Sequence, residues 1–404
     1  STQESFRTSY VAEAICRLKG IPKAVFLLTQ AARQKHWDPL QTCFGALGIE
    51  IEDRGIPDGQ TEAETWQIFD TLVEAIPPNA QVIFDVTHAF RSIPILVVLG
   101  AAFLRTAKNV QIQGLYYGLY RPGQEHTPIV DLTPALRLLD WLTATDKFIT
   151  TGSAQELGAL LNTVQQDFHR HHKPGVPKPL KLQGFGSTIQ DISRSIELMR
   201  PISLLEKHLP RLLKQSTAEL SQEVSTFAKP FSLLLSTIQS TYADLALPAD
   251  DNSPRQQLYR QFQLLRWYIE KGHTLQAILF AREWIISALC ISQGICDYCD
   301  KEPRESAENL LGRYHTTPDH PDYLAAVAPH VSDPTALAQL WSQLSEYRND
   351  LAHTQMRPKP ISAQTLATFA PKLVPTLTEL FPHFTTLEVS PSNSPDTQQE
   401  TKEA

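Results

Sequence analysis

The stretch from Gln81 to Ala107 limits the possible folds more than any other part of the chain. Its opening, QVIFDVT, is apolar almost without a break, as expected of a strand covered on both faces. A short polar junction, His88-Ala89-Phe90-Arg91, follows, and Ser92 to Ala107 then reads as a helix. A buried strand that passes through a polar turn into a helix is the unit from which parallel, doubly wound sheets are built. Its neighbours extend the pattern. Ile21 to Thr29 reads as a strand, Trp37 to Leu47 and Thr61 to Ala75 as helices. Val110 to Tyr120 and Pro128 to Leu132 read as two strands around a turn at Pro122-Gly123, an antiparallel edge.

From Pro134 onward the pattern is helical. Helices are expected over Thr188 to Lys214, Thr217 to Ala246, Arg255 to Glu270, Thr274 to Ser292, Pro334 to His353 and Ala363 to Leu380. Two punctuated stretches, His169 to Pro179 and Leu247 to Pro254, break the run. The fold class is therefore α/β plus all-α. The expected divisions are an α/β domain over 1–150, a helical linker over 151–254, a helical domain over 255–387 and a polar, disordered tail over 388–404. The polar opening STQESFRTSY stands where a Rossmann-like domain would already have laid down its first strand. An upstream strand is expected, with Ser1 to Phe6 as the loop leaving it.

With 404 residues, 42% of them hydrophobic, two or three domains can each bury a core. A formal charge of −7 argues against a broad basic surface that coats nucleic acid, so stable DNA binding is not expected and any RNA contact is local. No uninterrupted apolar stretch reaches the length of a membrane span, and no secretion signal is seen, so a cytoplasmic protein without membrane contact is expected. Five unevenly spaced cysteines suit a reducing compartment.

Two clusters carry chemistry. The first is Asp85-Val86-Thr87-His88-Ala89-Phe90-Arg91, where ligands of open α/β sheets bind, beyond the carboxyl end of a strand and at a helix N-terminus. Its hydroxyl, imidazole and guanidinium donors suit a ribose-phosphate backbone. On spacing alone the same residues read equally well as a helix cap and a surface charge. The second cluster is Arg348-Asn349-Asp350-Leu351-Ala352-His353 near the end of a helix whose core face includes Leu337, Leu340, Trp341, Leu344 and Leu351. Asn349 and His353 share a face, and the long Arg348 side chain reaches the same region. Imidazole exchanges protons near neutral pH, and guanidinium stabilises a pentacovalent phosphate. A solvated helix end accounts for the spacing as well.

Together the two clusters resemble those of the CRISPR-associated CARF–HEPN ribonucleases, in the branch marked by a D-x-T-H-G segment. Asp85 to Arg91 is similar to that ligand-site motif, with Ala89 in place of glycine, and Arg348 to His353 to the R-x4-H motif of the HEPN domain. Thr29-Gln30-Ala31-Ala32, Gly114 to Tyr120, and Trp267 through Glu283 follow in the expected order, while Thr188 to Ala246 matches only as generic helical linker.

The resemblance implies a Rossmann-like CARF sheet followed by an all-helical HEPN domain. It implies an endoribonuclease of type III CRISPR defence, switched on by cyclic oligoadenylate, with cyclic tetra-adenylate the expected ring. Thr29, Gln30, Asp85, Thr87, His88, Ala89, Phe90 and Arg91 would hold the messenger. Arg348, Asn349 and His353 from both chains of a homodimer would cleave single-stranded RNA through its own 2′-hydroxyl, leaving a 2′,3′-cyclic phosphate without metal or other catalytic cofactor. Alanine at position 89 restricts backbone that glycine leaves free, which bears on messenger affinity and ring size.

Other readings remain open on sequence alone. The chain can be a non-enzymatic regulator that responds to a cyclic nucleotide. Cys296, Cys299, His315 and His320 fall in the spacing range of a zinc site. His169 to Lys173 reads as a solvated linker rather than a metal or RNA patch. A dinucleotide-dependent dehydrogenase is set aside because no G-x-G-x-x-G follows any strand.

Overall fold

The computed structural model describes residues 5–89, 93–121, 123–124, 126–170, 178–246 and 253–386. The chain divides into two compact units, Ser1–Leu142 and Thr143–Ala404.

In the first unit, α1 (Val11–Lys19) ends at Gly20, whose left-handed φ of 64° turns the chain into β1 (Lys23–Leu28). Thr29 then caps α2 (Gln30–Gly45), accepting a hydrogen bond from the Ala32 amide at 3.3 Å. That helix begins seven residues before the expected Trp37. β2 (Glu50–Gly55) pairs parallel with β1 and was not expected from its charged sequence, EIEDRG. α3 (Glu62–Glu74) begins at Thr61, whose hydroxyl accepts from the Glu64 amide while the Glu64 carboxylate accepts from the Gln60 amide. β3 (Gln81–Asp85), α4 (Ile93–Lys108), β4 (Gln111–Gly118) and β5 (Ile129–Asp131) complete the series, and the division between the units falls within α5 (Thr133–Thr151).

The expected antiparallel edge is present, since β5 runs antiparallel to β4. The expected single parallel sheet is not. The described strands form a two-stranded parallel sheet, β1 with β2, and a separate three-stranded sheet in the order β3, β4, β5. No pairing joins β1 to β3, and a cleft of about 870 Å³ lies between them. Apolar packing follows the same division. Phe84, Val97, Leu104 and Leu115 belong to a core around β3 and α4, whereas Leu40, Phe44 and Cys16 form a smaller one around α2.

The described residues of the second unit form helices and the turns between them, with no strand: α6 (Gln155–Arg170), α7 (Leu182–Glu197), α8 (201–215), α9 (Ala218–Phe227), α10 (Lys229–Ala243), α11 (Pro254–Glu270), α12 (Thr274–Ser292), α13 (Lys301–Tyr314), α14 (Pro321–Val327), α15 (Pro334–Ala352), α16 (Ala363–Phe369), α17 (Leu373–Leu380) and α18 (Pro382–Thr385). The helical run expected over Thr188 to Lys214 is divided into separate segments. Met199 takes a positive φ of 52° and Pro201 starts the next segment, which loosens to a π turn over Leu204–His208. α12 is long and apolar enough to cross a membrane by length and composition, yet most of it is buried within the unit. There Trp284 donates its indole N–H to the Leu258 carbonyl at 2.9 Å.

Candidate functional site

The turn after β3 is built by its own polar side chains. Asp85 Oδ1 accepts from the Thr87 amide at 2.9 Å and also from the Thr87 hydroxyl, closing an Asx turn. The Thr87 hydroxyl in turn accepts from the Gly118 amide at 2.8 Å and so ties the turn to the end of β4. Glycine is required at 118, because a Cβ there would lie 2.6 Å from the Val11 side chain and 3.2 Å from that of Thr87. Asp85 and Thr87 are thus largely committed to each other and to the sheet. His88 stands exposed beyond them.

The cleft between the two sheets gathers Thr29, Asp85, His88 and Ala89, which the sequence placed in one ligand site. Thr29 is 6% exposed and anchors α2. Gln30 is exposed and does not line the cleft. Phe90 and Arg91 lie outside the described residues. His36, six residues along α2 from Gln30, does line the cleft and was missed in the sequence. The only signal for it was a helical phase counted from Thr29, which the later expected start of the helix obscured. Two thiols nearby are poor nucleophiles. Burial pushes Cys16 up to about 11, and burial together with a hydrogen bond to Glu13 pushes Cys43 up to about 11.

In the helical unit, α15 carries Arg348 and Asn349 in its last turns, and His353 is its C-cap. The Arg348 guanidinium donates to Asn349 Oδ1 at 3.0 Å. The His353 amide donates to the Asn349 carbonyl at 3.0 Å, which keeps residue 353 in helical register with Asn349 beneath it. Asn349 and His353 are exposed and Arg348 half-buried.

The segment after His353 reverses sharply. Thr354 and Gln355 both adopt left-handed backbone, with φ of 49° and 66°, and the chain folds back along α15. Asp350 holds the return. It is 1% exposed, its Oδ1 accepts from the Ile361 amide at 3.0 Å, and Arg357 approaches to 3.7 Å. Arg357 also lies 3.7 Å from Glu346. Sequence reasoning did not single out Arg357, because only the left-handed turn brings it beside Asp350.

A polar recess of about 540 Å³ opens one helical turn before Arg348, lined by Arg282, Glu308, Asn309, Arg313, Trp341 and Ser345 among others. Arg282 is 6% exposed, pairs with Glu283 at 3.0 Å and with Glu308, and lies 4.6 Å over the Trp341 ring.

Cys296, Cys299, His315 and His320 are not gathered. His315 Nδ1 contacts the Gly312 carbonyl at 2.8 Å, His320 caps α14 through the Asp322 amide, and both cysteines are exposed. Among the described residues no group of three or more His, Cys, Asp or Glu side chains is placed to hold a metal ion. His171, His172 and Lys173 lie outside the described residues.

The sequence has detectable relatives. Residues 137–250 match the family model for the second domain of the CRISPR-associated protein MJ1674. The chain is also 27% identical over 169 residues to the CRISPR-associated protein MJ1674 of Methanocaldococcus jannaschii. The matched segment is 40% of this chain and spans 26% of that relative's length. The family match covers α6 to α10 and so includes Thr188 to Ala246, which the sequence matched only as generic helical linker.

Proposed function

We propose that this chain is a CRISPR-associated endoribonuclease in which the cleft beside the Asp85–Ala89 turn senses a cyclic oligoadenylate and the end of α15 cleaves single-stranded RNA. The observation that carries the reading is that Arg348, Asn349 and His353 stand together at one exposed helix end, in a chain that also carries the Asp85-Val86-Thr87-His88 turn at a strand's carboxyl end. The likeness of residues 137–250 to a domain of a CRISPR-associated protein supports it independently of both motifs.

In the sensor, Asp85 and Thr87 hold the turn while His88 and Ala89 face the messenger, with Thr29 and His36 across the cleft. In the effector, the RNA 2′-oxygen attacks the adjacent phosphorus and the 5′-oxygen of the next nucleotide leaves, giving a 2′,3′-cyclic phosphate and a free 5′-hydroxyl. Arg348, oriented by Asn349, stabilises the negative charge of the pentacovalent state, and His353 carries the proton between attacking and leaving oxygens. Arg313, which lines the neighbouring recess, offers a cation to a flanking phosphate. Each chain supplies one such set, so a two-fold pair completes the site. Ile95, Leu99 and Phe103, exposed at four-residue spacing along α4, offer an apolar face for that pairing. The messenger activates by binding the cleavage-competent arrangement more tightly.

The test is cleavage of a fluorescent single-stranded RNA in EDTA, with cyclic tri-, tetra- and hexa-adenylate in turn. Cleavage that needs one ring, with cyclic tetra-adenylate expected, supports the proposal. Intact RNA with every ring overturns it in favour of a non-enzymatic regulator.

A further inference from the structure

The polar recess before Arg348 is framed by faces of three helices. α13 buries Ala307 and Leu311, four residues apart, and turns Glu308, Asn309, Gly312 and Arg313 toward the recess. α15 contributes Trp341 and Ser345, and the same row of side chains continues to Arg348, about 4.5 Å further along the axis. Arg282 comes from α12. Its guanidinium is committed to Glu283, Glu308 and the Trp341 ring, so it shapes the recess instead of reaching out of it.

Gly312 is the residue that the fold itself does not account for. Its φ is not left-handed, the helix runs on to Tyr314, and nothing lies within 4 Å of where its Cβ would stand. Glycine inside a helix is less stable than alanine, and here neither a turn nor a close contact offsets that loss. A bare stretch of backbone facing an open recess suits a ligand that lies against it.

The groups around Gly312 give that ligand its chemistry. Among the described residues the side chains of Asn309 and Ser345 have no hydrogen-bond partner, and Arg313 has no ion pair, its guanidinium lying 6.0 Å from the Tyr314 ring. Open hydrogen-bonding capacity of this kind disfavours a protein partner, whose contact would need an apolar centre. The Asn309 amide sets a donor beside an acceptor, the complement of the N6/N7 edge of adenine. Arg313 offers parallel N–H groups to a phosphate. A volume of about 540 Å³ is small for a long segment and ample for one nucleotide. Single-stranded RNA is read in this manner, through unstacked bases received one at a time.

We propose that the recess receives one nucleotide of the RNA strand, neighbouring the phosphate that is cleaved, and selects adenine there. The base lies against Gly312 with its edge on Asn309, and its phosphate meets Arg313. The proposal rests on the ribonuclease reading above and adds to it the residues that set base preference.

RNA binding to the His353→Ala protein tests it without relying on cleavage. The probes are a fluorescent oligouridylate of about ten nucleotides and the same strand with one central adenosine, followed by anisotropy, with thermal unfolding measured on every variant. The strand with adenosine should bind about fivefold tighter or more, and Asn309→Ala should bring the two strands within about twofold of each other. Arg313→Gln should weaken both alike and lower the salt slope by about one. Gly312→Leu places a good helix former in the recess and should weaken the adenosine strand about tenfold without lowering the melting temperature. An adenosine preference that persists in Asn309→Ala, or affinity unmoved by Gly312→Leu, would overturn the proposal and leave the ribonuclease reading standing. Self-association that falls in Gly312→Leu while RNA affinity holds would overturn it in favour of a second copy of the chain as occupant. Failure of both strands to bind the protein with its recess unaltered would take down this proposal and the ribonuclease reading together.

Discussion

In the helical unit, α15 lays Leu337, Leu340, Trp341 and Leu344 into a core where each is at most 6% exposed, and a buried carboxylate, Asp350, pins the chain that follows. In the sheet unit, β1 and β2 have no fully buried residue, β3 has one, and the turn beyond β3 is secured by two side chains and one glycine amide. One candidate site therefore rides on a packed helix and is rigid through its core. The other sits on strands that face an open recess and is held by a few hydrogen bonds, one of them to the end of β4, and by one buried side chain, Val86. The difference suits their proposed tasks, since proton transfer needs fixed groups and a sensor must change its arrangement on binding.

Three perturbations press on this contrast, and the largest effect is expected at Asp350. Asp350→Ala leaves the Ile361 amide without its acceptor and Arg357 without a buried partner, and should cost about 2–3 kcal/mol. Thermal unfolding should shift down by several degrees, and Asp350→Asn, which keeps an acceptor, should lose much less. An unchanged melting temperature in the alanine variant would remove Asp350 as the anchor of the segment after His353.

A smaller loss is expected at Thr87. Thr87→Val removes the hydroxyl shared by Asp85 and the Gly118 amide, and should cost about 1–2 kcal/mol in urea unfolding of the sheet unit, while Thr87→Ser should restore the loss. If valine and serine behave alike, the hydroxyl bridge does not hold the turn.

The smallest effect concerns His208 at the end of the π turn. Burial lowers its pKa and its Nδ1 is buried without a partner among the described residues, so the fold favours neutral imidazole. Below the unfolded value of 6.5 the unfolded chain takes up the proton first, and stability should fall as pH drops from there through the lowered folded value. Above 6.5 both states are neutral and the group contributes no pH dependence. His208→Gln should flatten that acid limb, and an identical limb in both proteins would exclude His208 as its source.

Much of this arrangement was legible in the sequence because its signals are local. The apolar QVIFD strand, the polar junction after it, and the phase that puts Asn349 beneath His353 each depend on a few neighbouring residues. β2 was hidden because an edge strand with Glu50, Glu52, Asp53 and Arg54 lacks an apolar run, and its pairing with β1 is what makes it a strand. The start of α2 was hidden because Thr29 announces it only once β1 is known to end at Leu28. The cleft, His36 facing it, and Arg357 beside Asp350 come from tertiary placement that no local pattern encodes. The likeness of 137–250 to a domain of a CRISPR-associated protein was also unreadable from pattern, since regular apolar helices look generic one sequence at a time.

The most direct test of the central claim is a cyclic tetra-adenylate titration of RNA cleavage, run in parallel on the unaltered protein, His88→Ala and His353→Ala, with messenger binding measured on each. A sensor joined to an effector predicts that His88→Ala moves the midpoint to higher messenger concentration and keeps the plateau, whereas His353→Ala lowers the plateau by about a hundredfold or more and binds messenger as before. A plateau that survives in His353→Ala, or a midpoint unmoved in His88→Ala, would contradict the assignment of those residues to cleavage and sensing.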